Sequence, residues 1–299
     1  MEEILTIEEM NKEALLQALS WQVETGCADA LIDNPKDSDA WRVTMAELAA
    51  QMTTAPMPNP MPDQMPEPEQ QTAQIGAQAP LKASAPAMPQ ASPMENPNKE
   101  TIDDMGAITT IDGLKQALAD FDKCELKRTA SNLVFCDGNA QAKIMIIGEA
   151  PGKDEDRMGV PFVGSAGQLL DQMLASVGLD RQSVYITNIM PWRPPGNRTP
   201  TEEEVEMMRP FVEKHVQLVA PDVILALGGT STKMLLQTQD GIMKLRGKFF
   251  DYRLTGHADV TVPLLPCLHP GYLLRAPHHK NFVFKDLLLL RRKALELAQ

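Results

Sequence analysis

Beyond residue 110 the spacing of hydrophobic positions changes repeatedly, and each change marks an element. TTIDGLKQALADFDKC reads as a capped helix. KIMIIGEAPG is an apolar run closed by a glycine turn, which predicts a buried strand over 143–148. SAGQLLDQMLASVGL returns to helical spacing over about 165–177 and closes at Gly178. The alternation continues with a strand at 184–190 (SVYITNIMPW) and a helix in which Thr201 precedes a turn of acidic residues. DVILALGG is a third strand, TSTKMLLQTQ a helix, VTVPLLPCLHP a fourth strand and NFVFKDLLLLRRKALELA a closing helix. Strands alternating with helices of this length predict an α/β domain over 106–299. It is expected to hold a central, mainly parallel four-stranded sheet with helices on both faces.

The first third of the chain is different material. Leu15, Leu16, Leu19 and Val23 recur at helical spacing, and DSDAWRVTMAELAAQM opens on capping residues, so 1–52 reads as short helices. Two such helices bury little core alone, which suits a segment that docks on a protein partner. From 53 to 105 proline recurs every few residues among Ala, Gln and Met, the composition of a disordered linker. Its methionines read as flexible apolar filler. Residues 1–100 carry 5 Lys and Arg against 16 Asp and Glu, whereas the remainder carries 23 against 24. The acidity therefore belongs to the first third, and a near-neutral second part can still bind nucleic acid if its cations cluster.

Cys27, Cys124, Cys136 and Cys267 lie far apart with no CxxC pair, which argues against a disulfide framework. No apolar run is long enough to cross a membrane, and MEEILTIEEM lacks the regions of a signal peptide. A cytoplasmic protein without membrane contact is expected.

In open parallel sheets ligands lie outside the carboxyl ends of the strands. Those ends carry Gly148-Glu149-Ala150-Pro151-Gly152, Thr187-Asn188, Gly228-Gly229-Thr230 and His269-Pro270. A carboxylate, an amide, a glycine-rich turn and an imidazole thus converge from separate segments. Asn188 interrupts an apolar run, where an amide either satisfies a turn or reads a ligand. Phe162, on a loop of prolines and glycines, is a stacking platform for a base. Gly164, Ser165 and Gly167 lead into a helix N-terminus suited to a phosphate. PWRPPGNRTP offers Arg193 and Arg198 for further phosphate contacts. His215, His257, His278 and His279 have no convergent partners and read as surface residues.

GEAPGKDED, GVPFVGSAGQLLDQML, VYITNIMPWRPPGNRTP, LALGG and HPGYLLR, in that order, resemble family 4 of the uracil-DNA glycosylases over about 120–299. The resemblance implies roles for individual positions. Glu149 would stand beside the water, with Gly148 and Ala150 in the same turn. Phe162 would stack on the flipped base and Asn188 would read the uracil edge. His269 would contact uracil O2, and Glu155 would crowd the C5 edge. Asn197 matches a further asparagine near the site, and Leu273, Leu274 and Arg275 match the loop that wedges into the duplex. Two departures stand out. The family's [4Fe–4S] cluster needs four cysteines, but only Cys124 matches a ligand. Phe121 stands at its pair position, Trp192 replaces the loop cysteine, and the following helix has none. No metal or cofactor is therefore expected, with apolar packing around Trp192 and Met207 or Met208 in place of the cluster. Gly271 also stands where serine is common.

These features imply an enzyme that flips uracil out of DNA and hydrolyses its N-glycosidic bond. A glycosylase for other deaminated bases is an alternative that the same pocket residues permit. A non-catalytic nucleic-acid module is another, and it would bind DNA without releasing a base.

Overall fold

The computed structural model describes residues 105–254 and 261–298. The expected helices within 1–52 and, apart from Met105, the linker at 53–105 lie outside the described residues. The elements in chain order are α1 (Ile111–Asp120), α2 (Leu126–Thr129), β1 (Cys136–Gly138), β2 (Ile144–Gly148), α3 (Lys153–Met158) and α4 (Ser165–Ala175). They continue with β3 (Val184–Asn188), α5 (Glu202–Val219), β4 (Val223–Leu227), α6 (Gly229–Leu236), α7 (Ile242–Leu245), β5 (Phe250–Arg253), β6 (Thr261–Cys267), α8 (Pro270–Leu273) and α9 (Lys280–Leu297).

The four predicted strands form the parallel centre, and the sheet order is β1-β3-β2-β4-β6-β5. Two short strands extend it to six, each antiparallel to its neighbour: β1 on β3 and β5 on β6. Their sequences, CDG and FDYR, are too short and polar to carry a period-2 signal. They form the two edges of the sheet, and edge strands this short leave little backbone unpaired.

β2, β3 and β4 are buried along their whole length because helices cover both faces. The pleat divides their side chains. Met145, Ile147, Tyr185, Ile224 and Ala226 pack with α1 and α5. Ile144, Ile146, Val184, Ile186 and Leu225 pack with α4 and α9 on the other face. This explains why the strands read as continuous apolar runs rather than alternating ones.

His215 departs from its surface reading. It faces the core from α5, only 5 % exposed, stacks on Phe135 at 4.7 Å and bonds the Tyr185 hydroxyl at 2.7 Å. Burial lowers its pKa to about 3, so the ring is neutral. Its Nε2 finds a polar partner on the sheet, and a lone sequence position carries no sign of such a partner.

Candidate active site

Parallel pairing puts the strand ends side by side. Gly148 is in register with Asn188. Past the strands the ladder continues, with the Met190 N–H donating to the Glu149 carbonyl at 3.0 Å. Gly228 adopts φ +97°, and its N–H donates to the Cys267 carbonyl at 2.8 Å, bringing the turn after β4 against His269. The result is a cleft of about 610 Å³ at the carboxyl edge of the sheet. That lies within the roughly 300–1,000 Å³ of small-molecule sites. Glu149, Phe162, Asn188 and His269 all line it.

Asn188 is 7 % exposed, and its Oδ1 is buried with no hydrogen-bond partner. A buried amide oxygen left unpaired costs about 1–3 kcal/mol. Such an atom in a cleft is an acceptor awaiting a donor. The two possibilities left open by the sequence are thereby separated: this amide does not satisfy a turn through its oxygen. Phe162 is 4 % exposed, and its ring centroid lies 5.7 Å from that of His269. Gly148 lies between ring and amide. A Cβ there would stand 2.3 Å from Asn188 Oδ1 and 2.5 Å from Phe162 Cζ. Gly148→Ala is therefore expected to lower activity at least tenfold by pushing both groups out of place. A single-turnover assay, beside a melting curve showing that the variant folds, checks this.

His269 caps α8, and its Nδ1 accepts the Gly271 N–H at 3.0 Å. Nδ1 therefore carries no proton, and Nε2 is the donor nitrogen of the neutral ring. Burial lowers the His269 pKa to about 4; Arg275 acts in the same direction, while Glu155 opposes them. Glycine at position 271 still orients the imidazole, through its backbone N–H. Glu149 is half-buried, and the Thr230 hydroxyl donates to its Oε2 at 2.7 Å. Thr230 was seen in sequence only as part of a glycine-rich turn. Its bond spans two strand ends, so no local pattern reveals it.

A family model described as the uracil DNA glycosylase superfamily matches residues 135–290. The chain belongs to that superfamily. It is 38 % identical over 172 residues to a type-4 uracil-DNA glycosylase of Archaeoglobus fulgidus, an alignment covering 56 % of this chain and 85 % of the relative. It is 39 % identical over 178 residues to one of Pyrobaculum aerophilum, covering 58 % and 89 %. Against one of Thermotoga maritima it is 40 % identical over 153 residues, covering 51 % and 77 %.

Several positions matched to the superfamily are employed differently from the sequence reading. Glu155 borders the cleft, but its carboxylate braces two loops, accepting the Gly152 N–H at 3.0 Å and the Gly164 N–H at 2.8 Å. The Gly164 N–H is therefore not free for a phosphate, although Ser165 remains exposed at the first turn of α4. Gly167 is pressed against the Phe162 carbonyl. Arg198 borders the cleft and forms a two-pronged pair with Glu204, at 2.7 and 2.8 Å, which occupies it locally. Arg193 Nε donates to Asn197 Oδ1 at 2.6 Å, so these two stiffen the proline-rich loop together. Ala150, Asn197 and Arg275 line the cleft. Leu273 is not a wedge: it is fully buried in the core on the inner side of α8. Leu274, one residue on, is 47 % exposed.

The positions at which the resemblance to family 4 implies iron–sulfur ligands do not fit a cluster. Cys124, Trp192 and Met208 are buried in one hydrophobic cluster, with Phe121 and Met207 packed against it. Phe121 meets Phe211 edge-to-face at 5.0 Å. Burial pushes the Cys124 thiol pKa up, disfavouring the thiolate that iron requires. One thiol among apolar side chains cannot supply the four thiolates of such a site.

Proposed function

We infer that the protein is a uracil-DNA glycosylase that cuts the bond between uracil N1 and deoxyribose C1′, leaving an abasic site. The unpartnered Asn188 oxygen, buried beside the Phe162 ring, carries this reading. Uracil flipped onto Phe162 presents N3–H and O4 on one edge. Asn188 Oδ1 accepts the first and Nδ2 donates to the second. Cytosine presents no N3–H and has an amino group at C4.

As the bond breaks, its electron pair stays with uracil and spreads onto O2, while C1′ becomes oxocarbenium-like. His269 Nε2–H donates to O2 where that charge develops, and it does so from a neutral ring already oriented by Gly271. Glu149, held by Thr230, orients the water that adds to C1′, and the water's proton passes to the carboxylate or to solvent. Leu274 and Arg275, exposed at the mouth, are suited to the duplex from which the base leaves. Alkaline cleavage of a uracil-containing oligonucleotide tests the reading. Wild-type protein is expected to yield a nick at the uracil, and an intact strand overturns it.

The reaction needs no cofactor, and we propose that the apolar plug at Cys124, Trp192 and Met208 does the structural work that a cluster would do there. Purified protein is expected to be colourless and to contain no stoichiometric iron by metal analysis. Brown protein with broad visible absorbance would overturn this. Cys124, Cys136 and Cys267 are free, which suits a reducing compartment such as the cytoplasm. Among the described residues no helix is long and apolar enough to cross a membrane.

A further inference from the structure

Phe162 holds a backbone conformation that its residue type disfavours. Its φ is +54°, in the left-handed region, where a bulky aromatic is a genuine outlier. Such strain persists only where the surroundings over-determine it. Two features do so here. Gly167, in the first turn of α4, lies so close that a Cβ there would stand 1.7 Å from the Phe162 carbonyl oxygen. From the opposite strand connection, the Arg181 guanidinium donates to the carbonyl oxygens of both Pro161, at 3.3 Å, and Phe162.

Arg181 is in turn held from two elements. Asp171 on α4 accepts from its Nε at 2.8 Å, and Asp137 on β1 accepts from Nη1. A planar fork with several fixed donors suits this task, because one group must satisfy two carbonyls and two carboxylates at once. Arg181 does not line the cleft. Its side chain is 25 % exposed, and those of Asp137 and Asp171 are 34 % and 45 % exposed. The exposed carboxylates can therefore tolerate loss of their partner.

We propose that Arg181 is a positioning residue for the base-stacking ring, locking Phe162 in its left-handed conformation by clamping the Pro161 and Phe162 carbonyls. It acts on the substrate only through Phe162. This deepens the uracil-excision reading and rests on it for its kinetic consequence. Removing the fork frees the 161–164 loop to relax, and the ring leaves its place against Gly148. Sub-ångström placement matters at such a site, where a shift of about 1 Å can cost 10²-fold.

A double-mutant cycle and a crystal structure test this together. Arg181→Met and Arg181→Lys are each expected to lower kcat/KM on uracil-containing DNA about tenfold and to raise the inhibition constant of free uracil. In the Phe162→Ala background the same changes are expected to alter kcat/KM less than about twofold, because the group through which Arg181 acts is gone. A merely structural role would lower activity by equal factors in both backgrounds, and that result overturns the proposal. The crystal structure of Arg181→Lys reads the clamp without any turnover. Phe162 is expected to leave the left-handed region, and an unchanged φ overturns the proposal. Inactive wild-type protein would instead overturn the uracil-excision reading, leaving the crystallographic result to decide the clamp.

Discussion

His269→Ala is expected to turn over uracil-containing DNA about 10²–10³-fold more slowly in kcat, the usual cost of one donor aimed at developing charge. KM should change little, because the bond to O2 strengthens mainly in the transition state. The pH dependence distinguishes this donor from an ordinary histidine. With a pKa lowered to about 4, against an ordinary value near 6.5, His269 stays neutral through the physiological range. Its contribution to kcat is therefore expected to be flat down to about pH 5 and to fall only as pH approaches 4. Protonation would put a hydrogen on Nδ1 facing the Gly271 N–H, so the bond that orients the ring would be lost. An inflection near pH 6.5 in wild type that vanishes in a His269 variant would contradict this assignment.

The same shift bears on stability. The folded-state pKa lies below the unfolded value, so the unfolded chain binds the proton more readily. Stability from this source is complete above pH 6.5 and is lost as pH falls toward 4. His215, with its pKa lowered to about 3, acts in the same direction.

Asn188→Ala is expected to lower kcat/KM about 10²-fold, since two hydrogen bonds to the base edge are lost and uracil's own polar groups are buried unpaired. If Asn188 reads the base as proposed, the inhibition constant of free uracil should rise, while affinity for abasic DNA should be unchanged. Weakened binding to both ligands alike would point to a damaged fold. Unchanged inhibition by uracil would remove Asn188 from the base-reading role.

Much of the fold was legible along the chain. The four central strands are apolar on both faces, which produced unbroken runs bounded by glycine and proline. The helices between them are long enough for periodicity to speak. The edge strands β1 and β5 were invisible because three or four polar residues carry no period, and only pairing with β3 and β6 makes them strands. Glu149, Asn188 and His269 were expected together because residues at parallel strand ends share an edge of the sheet, and they line one cleft.

What a residue is free to do was not legible. Leu273 and Leu274 are equivalent in sequence, yet the rotation of α8 buries one and exposes the other. Glu155, Gly164 and Arg198 were assigned to base or phosphate, but the structure commits them to backbone or ion-pair partners within the protein. Arg181 and Thr230 went unseen because their bonds reach across 19 and 81 positions of chain.

The sequence by itself determined the sheet's central strands and the composition of its carboxyl edge. Each of these depends on residue type and order. Only the tertiary structure decided which polar atoms are already satisfied. Hydrogen-bond partners come from separate strands and helices, and of the buried side-chain oxygens left without one among the described residues, Asn188 Oδ1 is the one on a residue that lines the cleft.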